Sequence, residues 1–188
     1  MKIHELVIAD CYIIEHAVYP DDRGLFREWF KANDLAKISA NFSVQQANFS
    51  HSKKGVVRGI HYSLAPQGQS KLITCANGSI TDVLVDLRKG SPTFLSVEYI
   101  KLDSNSGKTV FIASGVGHGF VVQSDDASVV YLTSSPFAPE FEKSINPIDP
   151  ALGINWNIPG GVEMVLSPAD RSASSLQEAD AAGNLPSY

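Results

Sequence analysis

From residue 11 to residue 133 the chain is a succession of short runs rich in β-branched and aromatic residues. Each run is closed by a turn signal, and apart from a short candidate helix over 32–38 no helix is read between the runs. The punctuation is Asp22-Arg23-Gly24, Lys54-Gly55, Asn77-Gly78, Lys89-Gly90-Ser91-Pro92, Asp103 to Gly107, and Asp125-Asp126. It predicts strands over 11–16, 24–29, 43–49, 56–61, 71–76, 80–87, 94–102, 109–112, 120–123 and 128–133. Asn77-Gly78, between two apolar runs, reads as a tight hairpin. A parallel sheet would need amphipathic crossover helices between its strands, and they are missing. The expected fold is therefore all-β, an antiparallel sandwich or barrel of the jelly-roll (cupin-like) kind.

Short peripheral helices complete the expectation. One covers 32–38, with Asn33 or Asp34 as its cap. Another opens at Ser167, with Pro168 in the first helical position and Asp170 in the third. The stretch 146–161, rich in proline and glycine, reads as a loop. No repeat, low-complexity block or compositional break divides the 188 residues, so one domain is expected over 1–188.

Fifteen basic against twenty acidic side chains leave a net charge of −5. That balance argues against nucleic acid or an anionic membrane as partner, while a few local arginines could still hold a small anion. The first 17 residues carry Glu5, Asp10 and Glu15 and lack a signal-type apolar core, and 110–122 is interrupted by Ser114, Gly115, Gly117 and His118. A cytoplasmic protein with no membrane span is expected. Cys11 and Cys75, far apart in apolar surroundings, read as buried reduced thiols.

The chemistry-bearing residues are densest in Gln46-Ala47-Asn48-Phe49-Ser50-His51-Ser52 and Val57-Arg58-Gly59-Ile60-His61. Gln46, Asn48 and Ser50 alternate and so share one face of a strand, inward or outward. Arg58 and His61 differ by three and would point to opposite faces, unless a bulge at Gly59 re-aims one of them. The positions two before and two after His61 are Gly59 and Ser63, and His118 is the only other well-placed imidazole. The set falls short of three or four metal ligands, and no metal is expected. Lys71 shares a strand face with Ile73 and Cys75, where it either snorkels to solvent or is held for a charge. Tyr131 alone could be a core aromatic with a bonded hydroxyl. Asp170 suits a helix N-terminus, Asp82, Asp86 and Arg88 could pair with one another, and Arg23 and Glu28 flank what could be a simple surface turn.

Taken in order, the motifs say more. Asp22 to Glu28, Gln46-Ala-Asn48-Phe-Ser50, Val57 to His61, Gln69-Ser-Lys71, Asp82 to Arg88, Gly117-His-Gly-Phe120, Tyr131 and Ser167-Pro-Ala-Asp170 resemble the dTDP-4-dehydrorhamnose 3,5-epimerase family from about residue 10 to the end. The resemblance implies a jelly-roll homodimer that exchanges strands, uses no cofactor, and acts on a dTDP-linked 4-keto-6-deoxy sugar. It makes His61 the base, Asp170 its hydrogen-bonded support, Lys71 the stabiliser of the enolate, and Tyr131 the proton donor on the opposite face, with Lys71 a candidate for easing the phenol's ionisation. It places Arg23 and Arg58 on the diphosphate and Glu28, Gln46 and Asn48 on the nucleotide, Glu28 coming from the partner subunit. Phe26 joins the binding set. His118 would contact sugar or diphosphate and be held by Asp82, and Glu142 and Arg171 match family positions that touch the ligand.

Three positions depart from the family pattern: Ser63 for glutamine, Ser114 for proline, and Phe137 for the tyrosine that stacks on thymine. Phenylalanine keeps the stacking face and loses the hydroxyl, so binding should survive. Other readings are an epimerase acting at C3 or C5 alone, a non-catalytic jelly-roll that binds a nucleotide sugar, and a metal-dependent cupin.

Overall fold

The computed structural model describes every residue except Ala40, Asn41 and Gln67. Thirteen strands are defined among the described residues: β1 Lys2–Glu5, β2 Tyr12–Glu15, β3 Val18–Asp21, β4 Gly24–Arg27, β5 Gln46–Lys53, β6 Val57–Ser63, β7 Lys71–Asn77, β8 Ser79–Asp86, β9 Val97–Asp103, β10 Lys108–Ile112, β11 Val116–Val122, β12 Asp126–Thr133 and β13 Glu142–Ser144. Three short helices are α1 Ala32–Leu35, α2 Pro168–Arg171 and α3 Leu176–Ala181. One sheet has the order β1-β2-β10-β7-β12-β5 and the other β13-β6-β11-β8-β9, all neighbours antiparallel, with β3 and β4 forming a separate hairpin. This is the expected jelly-roll sandwich.

Alternation along the strands builds three apolar layers. Ile73, Cys75 and Val129 from the first sheet meet Ile80, Leu84, Phe120 and Val122 from the second in the central core. The opposite side chains of the first sheet, Leu72, Leu132 and Phe111, lie under Leu35 and Trp29. Those of the second sheet, Val83, Val85 and Val121, lie under Ile145, Leu152, Trp156 and Ala179 of the C-terminal segment. Cys11 and Cys75 are free and buried; burial, the largest influence on each, pushes their thiols up to about 12 and about 11.

Seven elements differ from the expectation. Asn77-Gly78 is not a hairpin: β7 and β8 belong to different sheets, and the turn carries the chain across the sandwich. Gly78 has φ +72, and a Cβ there would collide with Asp126 O, so the glycine serves close packing at a corner. Strand β11 starts at Val116 rather than 120, its two glycines lying against neighbouring chain. Helix α1 ends at Leu35, and its N-cap is Lys31 with no side-chain bond, not Asn33 or Asp34. Strands β1, β3 and β13 and helix α3 have no counterpart in the expectation; the strands are only three or four residues long, β1 and β3 mostly exposed and β13 half-buried. The Ser167 cap is as expected, its hydroxyl accepting from Asp170 N at 3.0 Å.

Candidate active site

The bulge at Gly59 shapes the site. In the β6–β11 ladder His118 pairs with His61 and Phe120 with Arg58, so three steps along β6 match two along β11. Gly59 takes φ +116, and a Cβ there would lie 2.6 Å from both Gly119 Cα and His118 O. Only a glycine fits this approach. The extra residue brings Arg58 and His61 to the same inner face, where both line a cavity of about 120 Å³ with Ser50, Lys71, His118 and Tyr131. A larger cavity of about 490 Å³ shares His61, Lys71 and Tyr131 and adds Gln46, Asn48, Gln69, Phe137, Glu142, Lys143 and Ser144.

His61 Nε2 lies 2.7 Å from Asp170 Oδ1, although 109 positions separate them. The His61 side chain is 46 % exposed and that of Asp170 8 %. Burial alone would raise the Asp170 carboxyl. The hydrogen bond and charge of His61, with help from the Ser167 hydroxyl and Arg58, outweigh it and hold the carboxyl below the usual range. An ionised carboxylate only accepts, so His61 donates from Nε2, and in the neutral imidazole it is the other ring nitrogen that holds the lone pair.

Lys71 enters from β7 on the opposing sheet and is 7 % exposed. Burial pushes its ammonium down, while the carboxylates of Glu142 and Asp82 push it back up. Tyr131, on β12 beside β7, faces His61 from the other sheet. Burial raises its phenol; the charge that opposes this belongs to Arg58, not to Lys71 as expected, and Glu142 adds to the rise. Glu142 is itself raised by burial, against the pull of Lys71, His61 and Lys143.

His118 pairs through Nε2 with Asp82 Oδ1 at 2.7 Å. Arg58 Nε donates to Ser52 Oγ at 3.0 Å. Asp86 and Arg88 do pair, at 2.9 Å, leaving Asp82 to His118. Gln46, Asn48 and Ser50 point inward, and Gln46 donates to Asn48 Oδ1 and accepts from Phe137 N. Phe137, 61 % exposed, stands at the wall of the larger cavity.

Four expected site residues stand apart from both cavities. Arg23 at the tip of the β3–β4 hairpin pairs with Asp21, Phe26 is exposed on the same hairpin, and Glu28 just beyond it pairs with Lys31 at 2.7 Å. Arg171 is exposed next to buried Asp170, its carbonyl accepting from Asn146 Nδ2. The sequence reading gave no role to Gln69, Ser50, Lys143 or Ser144. Gln69 and Ser50 carried a signal, since they share strand parity with Lys71 and Asn48; Lys143 and Ser144 carried none. Among the described residues, no three His, Cys, Asp or Glu side chains converge as a metal ion would require.

Known proteins share this sequence pattern and fold. A relative from Mycolicibacterium smegmatis named dTDP-4-dehydrorhamnose 3,5-epimerase is 41% identical, over 100% of this chain and 92% of its own. One from Streptomyces niveus named dTDP-4-dehydrorhamnose 3-epimerase is 42% identical, over 100% and 90%. The solved structure of a Mycobacterium tuberculosis epimerase superimposes with a TM-score of 0.96 at 36% identity, covering 100% of this chain and 94% of that one. The model of the dTDP-4-dehydrorhamnose 3,5-epimerase family matches residues 5–178, and the chain belongs to that family.

Proposed function

We propose that this protein inverts carbons 3 and 5 of a dTDP-linked 4-keto-6-deoxy sugar, converting dTDP-4-dehydro-6-deoxy-D-glucose to dTDP-4-dehydro-L-rhamnose by proton removal and return. The observation that carries this reading is His61 on one sheet, bonded to Asp170 of α2, opposed by Tyr131 and Lys71 on the other sheet across a shared cavity. Both carbons flank the C4 ketone, so their protons become removable once the enolate is stabilised. His61 takes the proton with its free nitrogen, and Asp170 steadies the imidazolium. Lys71 meets the charge that develops on the C4 oxygen as the proton leaves. Tyr131 returns a proton from the opposite wall, which is what inversion requires. His61 alone would return it to the face from which it came.

Arg58 and His118 receive the diphosphate, and Gln46, Asn48 and Phe137 the nucleotide. Arg23, Phe26 and Glu28 complete the cavity of a second copy, each chain of a homodimer lending its hairpin and edge strand to the other. Two features support this: the hairpin's aromatic pair Tyr19 and Phe26 is 58 % and 64 % exposed, and β5 is an edge strand carrying Phe49 at 68 %. Free buried thiols suit the reducing cytoplasm. Because the relatives include both 3,5- and 3-epimerases at like identity, inversion at C3 alone is the competing reading.

Proton NMR of dTDP-4-keto-6-deoxyglucose incubated with the enzyme in deuterium oxide, with and without a coupled NADPH-dependent 4-reductase, tests this. Deuterium at C3 and C5, with dTDP-L-rhamnose in the coupled reaction, is expected; label at one carbon would establish the mono-epimerase. Saturable dTDP binding with no label would overturn the enzyme reading. Tyr131→Phe should impair inversion more than exchange, and an equal fall in both would remove Tyr131 from the role of proton donor.

A further inference from the structure

We infer that Gln69 is a ligand-binding residue: its side-chain oxygen is a fixed acceptor for a neutral donor of thymidine, the imide N–H of the base or the 3′-hydroxyl. The identity of that donor rests on the epimerase reading; the free acceptor itself does not.

Gln69 is 8 % exposed and stands in the wall of the larger cavity, two residues before Lys71. Neighbouring segments hold it on both sides. Its own N–H donates to Ser114 Oγ at 3.1 Å, Ser70 N to Ser134 Oγ at 2.9 Å, and Ser135 Oγ to Gly68 O at 2.7 Å. The first of these bonds exists because serine stands at 114, where the family pattern has proline and no side-chain acceptor. The Gln69 side chain is pinned as well, Nε2 donating to Ser135 O at 3.0 Å. A carbonyl oxygen only accepts, so the end of the amide that meets it is the NH₂ group, and the amide cannot be reversed. Oε1 therefore faces away from Ser135. It has no partner among the described residues and is not one of the enclosed unpartnered atoms, so it opens on the cavity.

The other amides of this cavity are engaged the opposite way. Gln46 Oε1 accepts from Phe137 N at 2.9 Å, and Asn48 Oδ1 accepts from Gln46 Nε2 at 2.8 Å. Both keep N–H groups for a ligand, which suits phosphate oxygens and base carbonyls. Of the three amides, Gln69 alone offers its oxygen. An acceptor that loses water to a ligand without gaining a donor weakens binding, so the ligand must bring the donor. Its place in the cavity says which part does so. His61, Lys71 and Tyr131, which take the sugar, line both cavities, whereas Gln69 lines only the larger one, with Gln46, Asn48 and Phe137. Its partner Ser135 is two residues from the Phe137 ring. Gln69 thus stands with the nucleoside. An ionised diphosphate has no donor to give, and the neutral donors of thymidine are its imide N–H and its 3′-hydroxyl.

Gln69→Met keeps the length of the side chain and removes the acceptor. The probes are dTDP, its N3-methyl derivative and its 3′-deoxy derivative, titrated by calorimetry into wild type and variant. In wild type at least one derivative should bind about tenfold more weakly than dTDP, the scale of one neutral hydrogen bond. In Gln69→Met, dTDP should fall to the level of that derivative, and the derivative should lose nothing further. The derivative whose penalty disappears identifies the donor. If both penalties persist in the variant, or all three ligands weaken alike, Gln69 only shapes the wall and the inference is overturned. Binding of dTDP that neither the derivatives nor the variant alters also overturns it. No binding of dTDP by wild type is a separate result, which removes the epimerase reading and this inference with it. Should Gln69→Met not fold, Gln69→Ala, which only widens the cavity, must abolish the same penalty, and a penalty that survives it would sink the inference.

Discussion

Two imidazole–carboxylate pairs meet on one rung of the β6–β11 ladder, where His61 is registered against His118. Both have the same 2.7 Å separation from their aspartate. They differ in everything around that bond. The His61 side chain is 46 % exposed, and its aspartate arrives from a helix near the C-terminus; the His118 side chain is 10 % exposed, and its aspartate, at 0 %, sits on the adjacent strand. A hydrogen-bonded carboxylate therefore does not make a base by itself. Access does: a proton can be exchanged with a substrate only by the imidazole whose second nitrogen reaches open space. The enclosed pair is suited to holding a donor still.

The sharpest way to break this comparison is to remove each imidazole in turn. His61→Asn should lower proton exchange by about 10³–10⁴-fold, leaving dTDP affinity nearly intact, because a positioned acid–base group contributes on that scale. His118→Asn should act mainly on substrate affinity, with a loss of about tenfold or more in KM and a smaller one in kcat. Exchange kinetics and dTDP titration calorimetry on both variants decide the matter. Equal losses of kcat would mean that the two pairs do the same work.

A second test alters the rung itself. Gly59→Ala places a methyl 2.6 Å from the backbone of β11 and demands φ +116 of an L-residue. The variant should lose about 3 kcal/mol of stability, measured by urea unfolding, since neither strand can give way without moving an imidazole. The residual fold should also lose exchange activity as His61 turns from the cavity. Stability lost without activity would mean that the bulge does not aim the base.

This bulge also marks how far the residues spoke for themselves. A glycine between Arg58 and His61 was enough to suggest that both side chains share a face, and they do. The jelly-roll was legible because ten strands carry their own alternation and punctuation. Asn77-Gly78 misled because the glycine is set by contact with the 124–127 segment, which no local window contains. Asp170 was legible as a helix-cap acid, but its bond to His61 joins positions 109 apart; only the ordered resemblance linked them. The inward aim of Gln46 and Asn48 was undecided for the same reason: strand parity fixes a shared face, and the partner sheet decides which face it is.

Asp170→Asn sharpens the comparison through pH. Its carboxyl is held below the usual range in the fold, so its stabilising contribution is complete above the unfolded carboxylate's pKa and vanishes as pH falls through the depressed folded value. The stability gap between wild type and Asp170→Asn should thus be constant near neutral pH and close only on strong acidification. In the same variant the amide can offer His61 its NH₂ group and stabilise the wrong tautomer, so kcat should drop about 10²-fold. Thermal unfolding against pH, read beside kcat, checks both. A gap that widened on acidification would reverse the sign and dissolve the pair as an ionised contact.

The smallest effect is expected one residue further on. Arg171 follows Asp170 on a four-residue helix, where successive side chains diverge by about 100°. Burial of Asp170 against His61 therefore turns Arg171 outward, away from both cavities, and among the described residues its hydrogen bonds are made by its backbone, the N–H to Ser167 and the carbonyl to Asn146. That geometry and the family resemblance pull in different directions, because the resemblance puts an arginine here on the ligand. If the cavity of one chain bounds the reacting sugar, Arg171→Ala should change kcat/KM by less than about threefold, as surface changes remote from a site do. If KM instead rises about tenfold with kcat unchanged, the ligand extends past the walls that one chain provides, and Arg171 meets it outside. Steady-state kinetics on the single variant separates the two outcomes. The second would transfer Arg171 to the same outer set as Arg23, Phe26 and Glu28, leaving the inner set of His61, Lys71, Tyr131 and Asp170 complete within one chain.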